Sequence, residues 1–245
     1  MSIGNDNMGV DYSHAFLSLT EAVAEKDINA VRQYAKKTMD FAKALKRPDL
    51  EISVLCMAAT GFLSVGQLST ALKLYDEADK IANDAEANET ESDFYKQLAV
   101  QILLYRGSSL LTQHPPQYNA ITEVYQQAAD KLDTMIADKG KPEAADWMDG
   151  GVLYLYLYES LRIMGYCQEQ LGRQQAALKH YVKAVNAAEK LGKNMRKSTP
   201  IDIVGKALLS LCRKLGMKKE YFIVIDKMNG LLGEGWEKEA ANAVA

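Results

Sequence analysis

The chain is 245 residues long, 48% apolar and 25% charged. That balance excludes both a charge-rich disordered chain and an apolar membrane protein, and it leaves room for one large core or an array of small units. The formal net charge of −3 gives no support to a general polyanion binder, because phosphate-backbone affinity is built by gathering lysine and arginine on one face.

At the N-terminus, MSIGNDNMGVDYSHAFLSLTEA has neither a basic n-region nor a long apolar core, so no signal peptide is expected. Further on, the five prolines (Pro48, Pro115, Pro116, Pro142 and Pro200) and glycines such as Gly66, Gly140, Gly172, Gly192 and Gly216 fall where apolar periodicity lapses. The segments between them carry alanine, leucine, lysine, glutamate and glutamine at three-to-four spacing, which predicts an all-α fold. In chain order the helices pair into about five antiparallel hairpins, near 12–45, 51–87, 92–138, 150–192 and 200–231. They are expected to form a single domain over 1–245 with a frayed tail at 233–245, for which Trp236 offers an anchor.

Several helix starts can be read locally. ETESD offers Thr90 or Ser92 as a cap before FYKQLAVQILLY, and Pro142-Glu143 opens a later helix. STPID supplies Ser198 or Thr199 as a cap, Pro200 at the first helical position and Asp202 in the first turn. YLYLYES, Tyr154 to Ser160, alternates as a strand would, yet Leu153, Leu157, Leu161 and Met164 form a helical stripe that accounts for more residues. KNMRK and RKLGMKK suit helix C-terminal ends, where cations meet the carbonyl pole of the dipole. No uninterrupted apolar run reaches the roughly 20 residues of a spanning helix, so no membrane insertion is expected.

Two stretches repeat one another. LSVGQLSTALKLYDEADKI places Gly66, Ala71, Tyr75 and Ala78 at the spacing at which LGRQQAALKHYVKAV places Gly172, Ala177, Tyr181 and Ala184. Seven residues before each glycine stands another small residue, Ala59 or Gly165. Small residues let helices approach closely, the tyrosine fills the gap between neighbours, and the glycine takes a left-handed conformation at the turn. This pattern resembles the tetratricopeptide repeat, most specifically over Leu55–Ala82 and Leu161–Ala188. The resemblance implies an α-solenoid of hairpins in a right-handed superhelix.

The other units fit more loosely. Ser18, Ala30 and Tyr34 take the frame near the N-terminus, with Glu25 replacing the turn glycine and Lys37 the last small residue. Gly107, Ile121, Tyr125 and Ala128 take it in the middle, with a turn lengthened around HPPQ. At the C-terminal end Gly216 holds the turn, and Tyr221 and Met228 occupy the small positions. Ala30, Ala71, Ile121 and Ala177 lie farther apart than the roughly 34 residues of a regular repeat.

Chemistry-bearing motifs are sparse. Cys56, Cys167 and Cys212 are an odd number without CxxC spacing, which reads as free thiols filling the core of a cytoplasmic protein. His14, His114 and His180 are isolated, and His180, beside Tyr181, is expected at the surface. GKALLSLCRK lacks the second glycine of a phosphate loop, and neither GxSxG nor HExxH occurs. DAEANETESD reads as a solvated loop and helix start. No catalytic residue, metal site or cofactor is expected.

What the resemblance does imply is a concave groove lined by the first helix of each hairpin, holding a peptide or helix of another protein. Its residues would be Ser53, Cys56 and Thr60, then Gln101, Leu104 and Ser108, then Glu159, Arg162, Tyr166 and Glu169, and finally Lys206, Ser210 and Arg213. Thr60, Gln101, Leu104, Glu159, Arg162, Tyr166, Glu169, Lys206 and Arg213 are the candidate partner-binding residues. Family members that grip the carboxylate ends of heat-shock chaperones use lysine and asparagine at defined groove positions, where this chain has Cys56, Thr60, Arg162 and Tyr166 instead. The expectation is therefore a non-enzymatic adaptor, chaperone or scaffold that binds a protein and no nucleic acid. The alternative is a self-associating subunit of a homo-oligomer, since Phe222, Ile223, Val224 and Ile225 supply more apolar surface than one helical stripe needs. Tyr154 and Tyr158 share a helix face, as either an exposed anchor or a buried pair.

Overall fold

One backbone device joins helix to helix five times among the described residues. The residue just past a helix turns left-handed and donates its N–H three residues back, and the next residue donates five back. The pairs are Lys26 to Val23 with Asp27 to Ala22, Lys46 to Lys43 with Arg47 to Ala42, and Gly66 to Leu63 with Gln67 to Phe62. Gly172 to Glu169 with Arg173 to Gln168, and Gly216 to Arg213 with Met217 to Cys212, complete the set. This Schellman arrangement satisfies carbonyls that a helix end would otherwise leave bare. It needs a positive φ, which glycine reaches at 76°, 71° and 68° without strain and which Lys26 and Lys46 adopt at 57° and 54°.

The structure, a computed structural model, describes residues 3–88, 92–139 and 150–236. Those residues form eleven helices and no strand, in two compact units, 1–116 and 117–245. The first unit holds α1 (Ile3–Ala24), α2 (Ile28–Leu45), α3 (Pro48–Ser64), α4 (Leu68–Asn88) and α5 (Ser92–Leu111). Each packs on the next, and α1, α3 and α5 also touch in sequence, which is hairpin stacking. The second unit holds α6 (Tyr118–Lys139), α7 (Gly150–Gln170), α8 (Gln174–Ala188), the short α9 (Lys193–Ser198), α10 (Ile201–Lys214) and α11 (Lys218–Leu232). There α7 packs between α6 and α8, α10 packs between α8 and α11, and α9 meets α11. The segment expected as the third hairpin, 92–138, supplies the last helix of the first unit and the first of the second.

The small-residue frame is the core. Ala59, Ala71, Tyr75 and Ala78 are buried in the first unit, as are Ile121, Tyr125, Ala128, Ala177, Tyr181 and Ala184 in the second. Each buried aromatic or branched side chain contributes about 1.5–3 kcal/mol of hydrophobic stabilisation.

In the first hairpin the expected frame is one residue out of register. Lys26, not Glu25, takes the left-handed turn, and the buried positions are Leu19, Val31 and Thr38 instead of Ser18, Ala30 and Lys37. Asp27 is the cause. Its carboxylate accepts from the N–H groups of Asn29 and Ala30, at 3.0 and 3.1 Å, which fixes the start of α2 and so the phase of every residue after it.

The entry to α10 also differs from expectation. Lys193–Ser198 forms its own short helix, the Thr199 hydroxyl donates back to the Met195 carbonyl at 2.7 Å, and no side chain caps α10. Pro200 precedes the helix at the cap position instead of opening it. Arg196 donates to the carbonyls of Leu191 and Glu189 just beyond α8, the carbonyl pole at which a cation is favoured. Trp236 is buried, with its ring where a Gly205 Cβ would stand, 2.6 Å away. Thr90, the Pro142-Glu143 start and the tail beyond Trp236 lie outside the described residues.

Candidate functional site

Pro48 opens α3, and Asp49 and Glu51 occupy its first turn. The helix so placed turns Ser53, Cys56, Met57 and Thr60 toward Leu98, Gln101 and Tyr105 of α5, with Phe16 of α1 beside them. Together they line an open groove of about 290 Å³ within the first unit. No charged side chain lines it. Two of its hydroxyls donate within their own helix: Thr60 to the Cys56 carbonyl at 3.0 Å and Ser53 to the Asp49 carbonyl at 2.8 Å. Burial pushes the Cys56 thiol up to about 12, so the sulfur stays neutral. Tyr105 is 52% exposed and stacks on buried Tyr75 at 6.3 Å, so the groove offers an aromatic face on a rigid support.

Of the candidate residues, Thr60 and Gln101 meet in this groove, while Leu104 is half-buried on α5 outside its lining. Phe16, Met57, Leu98 and Tyr105 were not among the candidates. Tyr105 was within reach of sequence reasoning, since it stands one turn beyond Gln101.

The remaining candidates lie in the second unit, mostly tied to neighbours. Arg162 donates through Nε and Nη2 to one Glu159 carboxylate oxygen, at 2.9 and 2.6 Å. Glu169 accepts from the Tyr181 hydroxyl at 3.3 Å and lies 3.7 Å from the Lys214 ammonium. Lys206 pairs with Asp202 at 3.0 Å. Arg213 sits 5.1 Å over the Tyr221 ring and donates to its hydroxyl. Tyr166 stays exposed, edge-on to Tyr118.

A second pocket of the same unit, about 340 Å³, lies among α6, α7 and α8. Asp133, Tyr154, His180, Lys183 and Lys190 line it over an apolar floor that includes Leu157 and Leu161. His180 is therefore half-buried and not the surface residue expected. Burial, then the nearby Lys183 charge, holds its imidazole below the ordinary range, and its Nδ1 is buried without a hydrogen-bond partner. Tyr154 and Tyr158 divide between the two expectations. Tyr158 is fully buried and donates to the Pro200 carbonyl at 2.9 Å, whereas Tyr154 lines the pocket half-exposed. All three cysteines are free thiols, Cys167 and Cys212 buried and Cys56 half-buried. Among the described residues no group of three or more His, Cys, Asp or Glu side chains is placed to hold a metal ion, and no helix is long and apolar enough to cross a membrane.

Hairpins closed by one repeated turn, packed through small residues and tyrosines, define a tetratricopeptide-like helical-repeat fold. No family model matches the chain, and no curated protein matches it in sequence. Among solved structures it is similar to the apo form of RapI, at 12% identity and a TM-score of 0.66 over 96% of this chain and 57% of that one. It is similar also to aspartyl phosphate phosphatase F from Bacillus subtilis, at 13% identity and a TM-score of 0.61 over 99% and 61%. A third likeness is to BtubC from P. vanneervenii, at 12% identity and a TM-score of 0.54 over 91% and 90%. The chain thus spans about three-fifths of the length of the first two.

Proposed function

We propose that this chain is a non-enzymatic protein-binding scaffold, an adaptor or chaperone of the cytoplasm working as one helical-repeat domain. The groove of the first unit holds an apolar segment of a partner's peptide or helix. Thr60, Gln101 and Tyr105 contact that segment and Leu104 supports its edge. Glu159, Arg162, Tyr166, Glu169, Lys206 and Arg213 supply polar contacts in the second unit by exchanging their present partners for those of the ligand. The observation that carries this reading is the groove among α1, α3 and α5, open to solvent, free of charged lining and floored by helices that are themselves well packed.

A photo-crosslinking amino acid tests it, placed at Tyr105 in the groove or at exposed Lys36 on α2 as a control. The expected result is a partner cross-linked from Tyr105 and not from Lys36, and lost when Thr60→Arg and Gln101→Arg put charge into the groove. Equal cross-linking from both positions, or capture that survives both substitutions, would remove the groove from the function.

A further inference from the structure

The repeat frame identifies which positions carry one hairpin onto the next. On the second helix of a hairpin, one such position lies five residues past the residue preceding the helix. Arg32, five past Asp27, places its guanidinium over the Phe62 ring of α3 at 5.5 Å. Thr122, five past Gln117, accepts from Gln168 of α7 at 3.4 Å. Phe222 is five past Met217 and occupies the same position on α11. No helix lies against it among the described residues: Phe222 is 64% exposed and Ile223 62%.

The first helix shows the converse. The turns at Lys26 and Gly66 align α1 with α3 at an offset of 66 − 26 = 40 residues, so Val10, Leu17 and Glu21 correspond to Leu50, Met57 and Gly61. On α3 the two ends of that side meet the preceding hairpin, and Met57 between them lines the groove beside Phe16 of α1. The Leu50 carbonyl accepts from Tyr12, and Gly61 lies against Val23 and Val31, which its Cβ would approach to 3.0 and 3.1 Å. On α1 no helix among the described residues covers the same side, and Val10 and Leu17, seven residues apart on one face, are 55% and 58% exposed. Exposed Glu21 follows Leu17 by one turn, and exposed Lys219 precedes Phe222 and Ile223 by one turn. Both lack an ion-pair partner among the described residues.

We infer that α11 of one copy stacks on α1 of the next copy, continuing between molecules the hairpin packing found within them. Phe222 and Ile223 lie against Leu17 and Lys219 faces Glu21, while Val10, two turns further along α1, lies toward the C-terminal end of α11. Two different surfaces are joined, so the contact is head-to-tail and each copy added leaves a fresh end for another. This inference is independent of the groove reading.

Sedimentation equilibrium of the full chain over a wide concentration range tests it, with two double variants, F222E/I223E and V10E/L17E, whose helicity is checked by circular dichroism. The wild type is expected to rise in mean mass past the dimer with concentration. Each double variant alone is expected to stay monomeric, its association weakened about tenfold or more by a charge in an apolar contact. An equimolar mixture of the two retains one intact α1 and one intact α11, and is expected to form dimers and nothing larger. As a test that does not disturb apolar packing, K219E or E21K alone weakens association and the two together restore it. A wild type that is monomeric throughout would overturn the inference. So would a V10E/L17E variant that associates like wild type, a mixture that stays monomeric, or a charge swap that fails to rescue.

Discussion

Gly165 on α7 stands against the ring of Tyr181 on α8 so closely that a Cβ built on the glycine would lie 2.5 Å from the Tyr181 Cε1. The ring cannot retreat easily, because it is buried and its hydroxyl donates to Glu169. Two effects therefore compete in Gly165→Ala. Alanine favours the helix by about 1 kcal/mol over glycine, while overpacking a filled interface costs about 1–3 kcal/mol. The overpacking is expected to win, lowering stability to urea. Tyr181→Leu, destabilising alone, is expected to remove most of the cost of Gly165→Ala when combined with it. Additive effects in that double-mutant cycle would show that the two residues are not in contact.

The turn before α2 makes a sharper test of register. If Lys26 holds the left-handed position, Lys26→Gly relieves backbone strain and stabilises the protein by about 0.5–1 kcal/mol. Glu25→Gly, at the position the sequence pattern alone selects, is expected to destabilise. Asp27→Ala removes the cap on Asn29 and Ala30 and is expected to cost about 1 kcal/mol. Thermal or urea unfolding of the three variants decides between the two frames by sign alone.

The second and fourth hairpins are legible in the sequence because their packing depends on residues with few substitutes. A glycine at φ near 70° and an alanine beneath a tyrosine can be recognised without neighbours. The first hairpin uses a lysine at the same backbone conformation and a branched Val31 in place of alanine, so the pattern blurs and only the cap on α2 sets the phase. The groove of the first unit was half legible. Thr60 and Gln101 follow from the repeat frame, but Phe16 and Leu98 reach it through the packing of three helices, which no single helix pattern records. His180 lies off the α8 core stripe and is covered by a pocket that α6 and α7 complete, so its burial depends on tertiary contacts.

That burial gives His180 a pH signature. Its imidazole is held below its ordinary value by burial and by Lys183 on the same helix, while Asp133 of α6 lines the same pocket with its own carboxyl raised by burial. The unfolded chain takes up a proton near pH 6.5 while the folded chain still resists it. Stability is therefore expected to fall as pH drops through about 6.5 toward the lower folded value. The Asp133 and Glu51 carboxyls, both raised by burial, contribute with the opposite sign, so the histidine is separated by comparing the wild type with His180→Gln between about pH 7.5 and 5.5. His180→Gln is expected to flatten the change. A slope that survives the substitution would assign it to another group.

At the alkaline end the tyrosines act the other way round. Burial raises the Tyr12 and Tyr125 hydroxyls to about 12 and Tyr158 further still. The folded protein then keeps protons that the unfolded chain releases near pH 10, so stability is lost as pH rises above that value. Tyr158 is the most informative, since its hydroxyl joins α7 to the entry of α10 through the Pro200 carbonyl. Tyr158→Phe removes that bond and leaves the Ile203 N–H on the same carbonyl at 3.3 Å. The carbonyl keeps a donor, so the expected cost at neutral pH is about 1 kcal/mol, the net worth of one hydrogen bond, and not the larger penalty of an orphaned acceptor. The alkaline loss of stability is expected to be shallower in the variant, measured by urea unfolding alongside a phenolate absorbance titration. If its alkaline profile matches that of the wild type, Tyr158 ionises as freely folded as unfolded, and the contact between α7 and Pro200 does not hold in solution.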